Sequence, residues 1–186
     1  MSSSLPRLEL AAFPSTLAAT LEPRVKRLGY LGEFFKCAAN NPRALAAFGE
    51  FTEASRDGLS DRLAELIALT CTVWMGNDYE RNQHERLSVR LGFGRDWVAA
   101  VNALEPDVDS ALTPQERGVQ RLTLAVLTTR GKAASELFED TVESLGPRGA
   151  VAVLMAIGRH VTHSLIVNTL ALSPPVPSIF ADGFEG

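Results

Sequence analysis

The sequence predicts an all-α domain. Apolar residues recur at intervals of three and four along most of the 186-residue chain, and proline, glycine and capping residues punctuate it between these stretches. No alternating β-branched run between turn signals calls for a sheet. With 46% apolar residues the chain is long enough for one real core and too short to expect two. The expected organisation is an N-terminal extension over 1–22, a single helical domain over 23–172 and an extended C-terminal tail over 173–186. The tail, SPPVPSIFADGFEG, holds three prolines and two glycines, so neither end is expected to be regular helix, and the tail could drape over a neighbouring subunit.

The elements follow in order. A first helix is expected over about 27–39, with Leu28, Leu31, Phe34 and Phe35 as its apolar stripe. Asn40-Asn41-Pro42 stops it and opens a second over about 42–56 carrying Leu45, Phe48 and Phe51. Gly58-Leu59-Ser60 reads as a break and an N-cap, with Asp61 in the first turn near the positive end of the helix dipole and Leu63, Leu66, Ile67, Thr70 and Trp74 as the core stripe. Gly76 ends that helix, and Asn77 followed three residues later by Glu80 has the form of a capping box for a helix over about 78–92. A short helix over 95–104 turns Trp97, Val98, Val101 and Leu104 inward. Thr113-Pro114-Gln115-Glu116 is a capping box with proline at the first helical position and opens a helix to about Thr129. Ser135 caps the next, Gly146 closes it, and Pro147 starts a long helix to about Leu172 with Val151, Leu154, Met155, Gly158, Thr162 and Leu165 as its expected packing stripe.

Composition narrows the function classes. A net charge of −4 and a pI near 5.4, with Lys and Arg scattered among acids, give no footprint for nucleic acid or an anionic membrane. No positive stretch leads into an apolar run at the start, so no targeting or membrane-spanning segment is expected. Cys37 and Cys71 lie far apart in apolar helical surroundings and read as buried small hydrophobes in a reducing compartment, which points to the cytoplasm. The expected partners are a small molecule and further copies of the chain.

Chemistry concentrates between Glu65 and His84. Glu80 and His84 are four apart and Asn77 precedes Glu80 by three, so on a helix all three project from one face. A carboxylate beside an imidazole makes a tunable proton donor or acceptor. Each residue also has a plainer reading: Glu65 as a partly solvated acid near a helix start, Asn77 and Glu80 as a cap, His84 as a hydrogen-bonded core histidine. His160 and His163, three apart in the last helix, are open to the same choice between a second proton-transfer group and structure.

This pattern resembles, over roughly residues 25–172, the carboxymuconolactone decarboxylase and alkylhydroperoxidase D superfamily. That superfamily carries a Glu on one helix and, twelve residues later, either C-x-x-C-x-x-x-H or a cysteine-free E-Y-E-W-x-x-H string. Glu65 matches the upstream Glu, Tyr79 and Glu80 the Y-E, Gln83 a frequent Gln, and His84 the His. Asn77 and Glu80 stand at the two cysteine positions, and Arg81 replaces the usual Trp. The resemblance implies a bundle of about seven to eight helices and assembly into trimers or hexamers with the pocket near subunit contacts. It also implies lyase chemistry without a cofactor on a small carboxylated or lactone-type substrate. Glu65, Glu80 and His84 would be catalytic, and Asn77, Tyr79, Gln83 and His160 would bind substrate. Arg81, Arg90, Arg130 and Arg159 are each available as carboxylate anchors. No metal is expected, because E-x-x-x-H is not the E-x-x-H pair of di-iron bundles and has no second copy. Two alternatives stand beside the lyase: a thiol peroxidase, which lacks its C-x-x-C here, and a non-catalytic ligand-binding oligomer.

Overall fold

Helices account for all the regular structure in residues 5–108 and 111–181, the part of the chain that the computed structural model describes. They are α1 (Ser15–Leu28), α2 (Glu33–Ala38), α3 (Pro42–Ala54), α4 (Asp61–Trp74), α5 (Asp78–Arg90), α6 (Arg95–Asn102), α7 (Pro114–Thr129) and α8 (Ser135–Thr169), preceded by a 3-10 turn over Leu10–Ala12. The all-α expectation and the number of helices are borne out.

The bundle is assembled round α4. Ser60 caps it by accepting from the Leu63 amide, and every residue from Leu63 to Thr72 is buried, because α5, α6, α7 and α8 all pack against it. Leu66, Ile67 and Leu69 meet Trp97, Val98 and Val101 of α6, Leu122 of α7, and Val153 and Ile157 of α8. Removing a side chain as enclosed as Leu66 would cost about 2–5 kcal/mol in transfer and cavity terms. A second apolar cluster joins Leu17 and Leu21 of α1 to Phe34 and Cys37 of α2, Leu45 of α3, Tyr79 of α5 and Val167 of α8. The functional cavity opens where this cluster meets α4, α5 and α8.

Several boundaries match the sequence reading. The Thr113 capping box forms in both directions, Thr113 Oγ1 accepting from the Glu116 amide and Glu116 Oε2 from the Thr113 amide. Gly146, at φ 72° and ψ 167°, breaks α8 where Gly146-Pro147 predicts it. By length and composition α8 could cross a membrane, but more than half of its apolar window is buried inside the bundle, as expected of a core helix.

Other expectations are corrected. Residues 15–22, read as irregular, are the first half of α1, with Leu17 and Leu21 packed on α2; their burial offsets the helix hydrogen bond lost at Pro23. The single helix expected over 27–39 is two, because Gly29 ends α1 in the left-handed conformation. Ser135 is not a cap; Ala134 holds that position without a side-chain bond. On α8 the expected packing stripe faces outward, with Val151, Leu154, Met155 and Leu165 exposed, while Ala150, Val153, Ala156, Ile157, His160 and His163 face the core. The described part of the tail, 173–181, folds back on its own chain: Ile179 is fully buried, and Glu85 Oε2 accepts from the Ser178 hydroxyl and the Ile179 amide. Residues 1–4 of the extension and 182–186 of the tail lie outside the described residues.

Candidate active site

Glu65 is only 1% exposed because α4 is surrounded, so its carboxylate has no water to solvate it and needs a partner. His84, on the neighbouring α5, supplies one: Nδ1 lies 2.7 Å from Glu65 Oε2. The other ring nitrogen, Nε2, lies 3.7 Å from Glu80 Oε1, beyond hydrogen-bond reach. Burial works against charge on the imidazole, but Glu65 and then Glu80 more than offset it, and the His84 pKa is raised to about 9. At neutral pH His84 is therefore an imidazolium that gives one proton to Glu65 and holds the other where no described side chain accepts it.

Glu80 does not complete the expected capping box. Asn77 Oδ1 accepts from the Glu80 amide, but the Glu80 carboxylate turns inward to Arg159 of α8, a buried guanidinium whose ion pair outcompetes a neutral backbone amide. Burial opposes the charge on Glu80, yet Arg159, then His163 and His160, hold its carboxyl well below the usual range. Arg159 Nη1 also donates to His160 Nδ1 at 2.8 Å, which assigns the His160 proton to Nε2. Burial and then Arg159 push His160 down to about 3, so it is neutral. His163 stacks on Phe34 at 4.1 Å between ring centres, with Nδ1 3.1 Å from Glu80 Oε2 but poorly aligned for a hydrogen bond, and burial lowers its pKa as well. The site is thus a carboxylate, an imidazolium, a carboxylate and a guanidinium in sequence, a buried chain of alternating charge flanked by two neutral imidazoles.

This chain forms one end of a cavity of about 920 Å³ bounded by α1, α2, α3, α4, α5 and α8. Of the residues singled out from sequence, Glu65, Tyr79, Glu80, Gln83, His84 and His160 line it. Asn77 does not; it caps α5 and donates to Ser164 Oγ at 2.9 Å, with no exposed surface. The Tyr79 hydroxyl accepts from the Phe34 amide, tying α5 to α2. The Gln83 amide donates to the Tyr79 carbonyl, and its Oε1 faces the Tyr30 hydroxyl at 3.4 Å. Sequence reasoning missed Arg24 and the role of Arg159. Both reach the site from helices distant in the chain, and nothing local marks either one.

Glu80, His84 and His160 place a carboxylate and two imidazole nitrogens within 4.8 Å of one another, the arrangement a metal would need. Protons already occupy those donors. Arg159 donates to both Glu80 and His160, and the doubly protonated His84 has no free nitrogen, so a cation would have to displace a guanidinium and a proton. The set fits a metal-free ion-pair network better.

Solved structures share this architecture. A protein of Ralstonia eutropha JMP134 described as an alkylhydroperoxidase AhpD core, a peroxidase-related protein, superposes with a TM-score of 0.81 at 18% identity, covering 94% of this chain and 93% of that one. The chain has the AhpD fold. A debrominase, Bmp8, shares that fold at a TM-score of 0.79 and 16% identity, over 94% of this chain and 93% of its own. A putative antioxidant defence protein AhpD of Agrobacterium tumefaciens matches at a TM-score of 0.68 and 22% identity, over 75% of this chain and 96% of that one. The AhpD fold is the one implied by the motif resemblance. No family model and no curated protein matches the sequence.

Proposed function

We propose that the protein is a cofactor-independent enzyme that transfers a proton to carbon in a small carboxylated or lactone-type substrate, most simply as a decarboxylase. The observation that carries this reading is His84 in the lining of a ligand-sized cavity, with Nδ1 2.7 Å from Glu65 Oε2 and Nε2 hydrogen-bonded to no side chain among the described residues. A general acid needs that combination of charge, orientation and access. In the reaction the bond to the substrate carboxylate breaks, carbon dioxide departs, and its electron pair passes into a conjugated carbonyl. His84 then protonates the resulting carbanion through Nε2 and recovers its proton from solvent, while Glu65 holds the ring throughout. Glu80 stays ionised on Arg159 and favours the imidazolium between turnovers.

Nothing at the site supports the thiol-peroxidase alternative. Cys37 and Cys71 are buried on α2 and α4, neither lines the cavity, and burial raises both thiols away from the reactive thiolate. The test is carbon dioxide release from carboxymuconolactone and a panel of β-keto acids. Wild type should turn over at least one of them, and His84→Gln should lose roughly 10²–10⁴-fold in rate. Full turnover by His84→Gln, or thiol-dependent peroxide reduction in place of decarboxylation, would overturn the reading.

A further inference from the structure

Arg24 stands on α1, across the cavity wall from the charged chain, and has a different character from the other cations there. Its guanidinium carbon lies over the Phe35 ring, 5.1 Å from the ring centre. Among the described residues no carboxylate comes within ion-pair distance of it. Arg24 is an exposed residue, yet neighbouring protein desolvates its head enough that burial is the first cause lowering its pKa, followed by the charge of Arg159, with Glu80 and Glu53 opposing from a distance. Arg56 pairs with Asp61, Glu65 with His84 and Glu80 with Arg159, which leaves Arg24, Arg27 and Arg90 beside Glu50 and Glu53 in the cavity lining. The remaining charges thus leave a surplus of one arginine, in a chain whose overall charge is −4.

We propose that Arg24 anchors a carboxylate of the ligand and sets the cavity's preference for organic anions. This rests on reading the cavity as a substrate site. A guanidinium offers two parallel N–H donors in the plane of its fork, which a carboxylate matches with two oxygens. The Tyr30 hydroxyl also lines the cavity; burial raises its pKa against the charges of Arg24 and Arg90, and its one proton is directed at Gln83 Oε1, 3.4 Å away. Phe34, Phe48 and Leu21 supply apolar wall for the carbon body, and 920 Å³ is ample for a small molecule.

The anchored carboxylate is one that survives the reaction. A guanidinium on the departing carboxylate would stabilise a charge that the transition state disperses, and so would raise the barrier. Arg24 therefore holds a group that does not react and directs the rest of the molecule toward His84 Nε2.

The experiment is titration calorimetry with benzoate, sorbate and muconate, each against its neutral amide, and with inorganic phosphate, on wild type, Arg24→Gln, Arg24→Lys and His84→Gln. At least one carboxylate should bind wild type more tightly than its amide. Arg24→Gln should weaken that carboxylate by about ten- to hundredfold and leave the amide unchanged. Arg24→Lys should recover part of the loss. His84→Gln should keep the preference for the carboxylate over its amide while losing turnover, so anion anchoring and proton transfer fail separately. Thermal melts of the Arg24 variants within a few degrees of wild type exclude unfolding as the cause. Carboxylates and amides binding equally, no carboxylate binding at all, an unchanged affinity in Arg24→Gln, or Arg24-dependent phosphate binding tighter than any carboxylate would each overturn the proposal.

Discussion

His84 keeps two protons at neutral pH only because Glu65 faces one nitrogen and Glu80 stands near the other. Burial opposes that charge, as does the Arg159 guanidinium of α8 beyond Glu80, while His160 and His163 pack beside Glu80 as neutral rings. Glu65→Gln keeps the shape and one hydrogen bond but removes the largest favourable charge, so the His84 pKa should fall from about 9 to below the ordinary 6.5. A pH titration of the ring by NMR checks this without any substrate. The sign for stability follows: a folded-state pKa raised above 6.5 stabilises the fold fully below pH 6.5, and the contribution fades as pH rises through 9. The amount is on the order of 3 kcal/mol for a shift of this size. Denaturation at pH 6 and pH 10 should show that loss in wild type and little of it in Glu65→Gln. The Glu65–His84 pair was legible through the motif resemblance, which places a Glu on the helix before the one that carries the His; spacing alone marked only Asn77, Glu80 and His84 as sharing a face. The partner of Glu80 was not, since Arg159 lies 79 residues away and an arginine carries no local mark of which carboxylate it will meet.

Helix periodicity revealed α3 and α5 to α7 well because each has one wet face and one dry one, whereas α4, buried on every side from Leu63 to Thr72, was legible from its Ser60 cap and the Gly76 that follows it. It failed at the two ends for opposite reasons. Residues 1–22 are weakly periodic and contain serine and proline, which argued against a helix that tertiary burial of Leu17 and Leu21 nevertheless maintains. On α8 the inward face carries Arg159, His160, His163 and Ser164 because it forms the floor of the site, so the polar residues lie inside and the uninterrupted apolar stripe lies outside. The inward turn of the tail was unreadable too, since it depends on Glu85. That carboxylate is 1% exposed and accepts from Ser178 Oγ at 2.6 Å, the Ile179 amide at 3.1 Å and Asn102 Nδ2 at 2.9 Å. Glu85→Ala would strand those three donors and release residue 179 from the core. A loss of about 2–4 kcal/mol in denaturant unfolding is expected, with hydrogen exchange accelerating first over residues 176–181. Uniform exchange along the chain with unchanged stability would show that the tail is held by packing alone.

The outer face of α8 bears on the whole assembly. Val151, Leu154, Met155 and Leu165 are 38–55% exposed and recur at helical spacing, an apolar strip of the kind that soluble monomers seldom leave in water. The inner face of the same helix carries Arg159 and His160, so fixing α8 from outside also fixes the cavity floor. The association expected from the motif resemblance thus has a surface on which to form and a reason to matter for the site. Glutamates placed on that strip would bury unpaired charge in any contact that forms there. Wild type should sediment as an oligomer, and Met155→Glu combined with Leu165→Glu should move it to monomer while far-ultraviolet circular dichroism stays near that of wild type. Turnover per subunit should fall with dissociation, and His84 should titrate over a broader range as α8 loosens. A wild-type monomer at micromolar concentration, or an oligomer indifferent to both glutamates, would mean that the strip is not the contact.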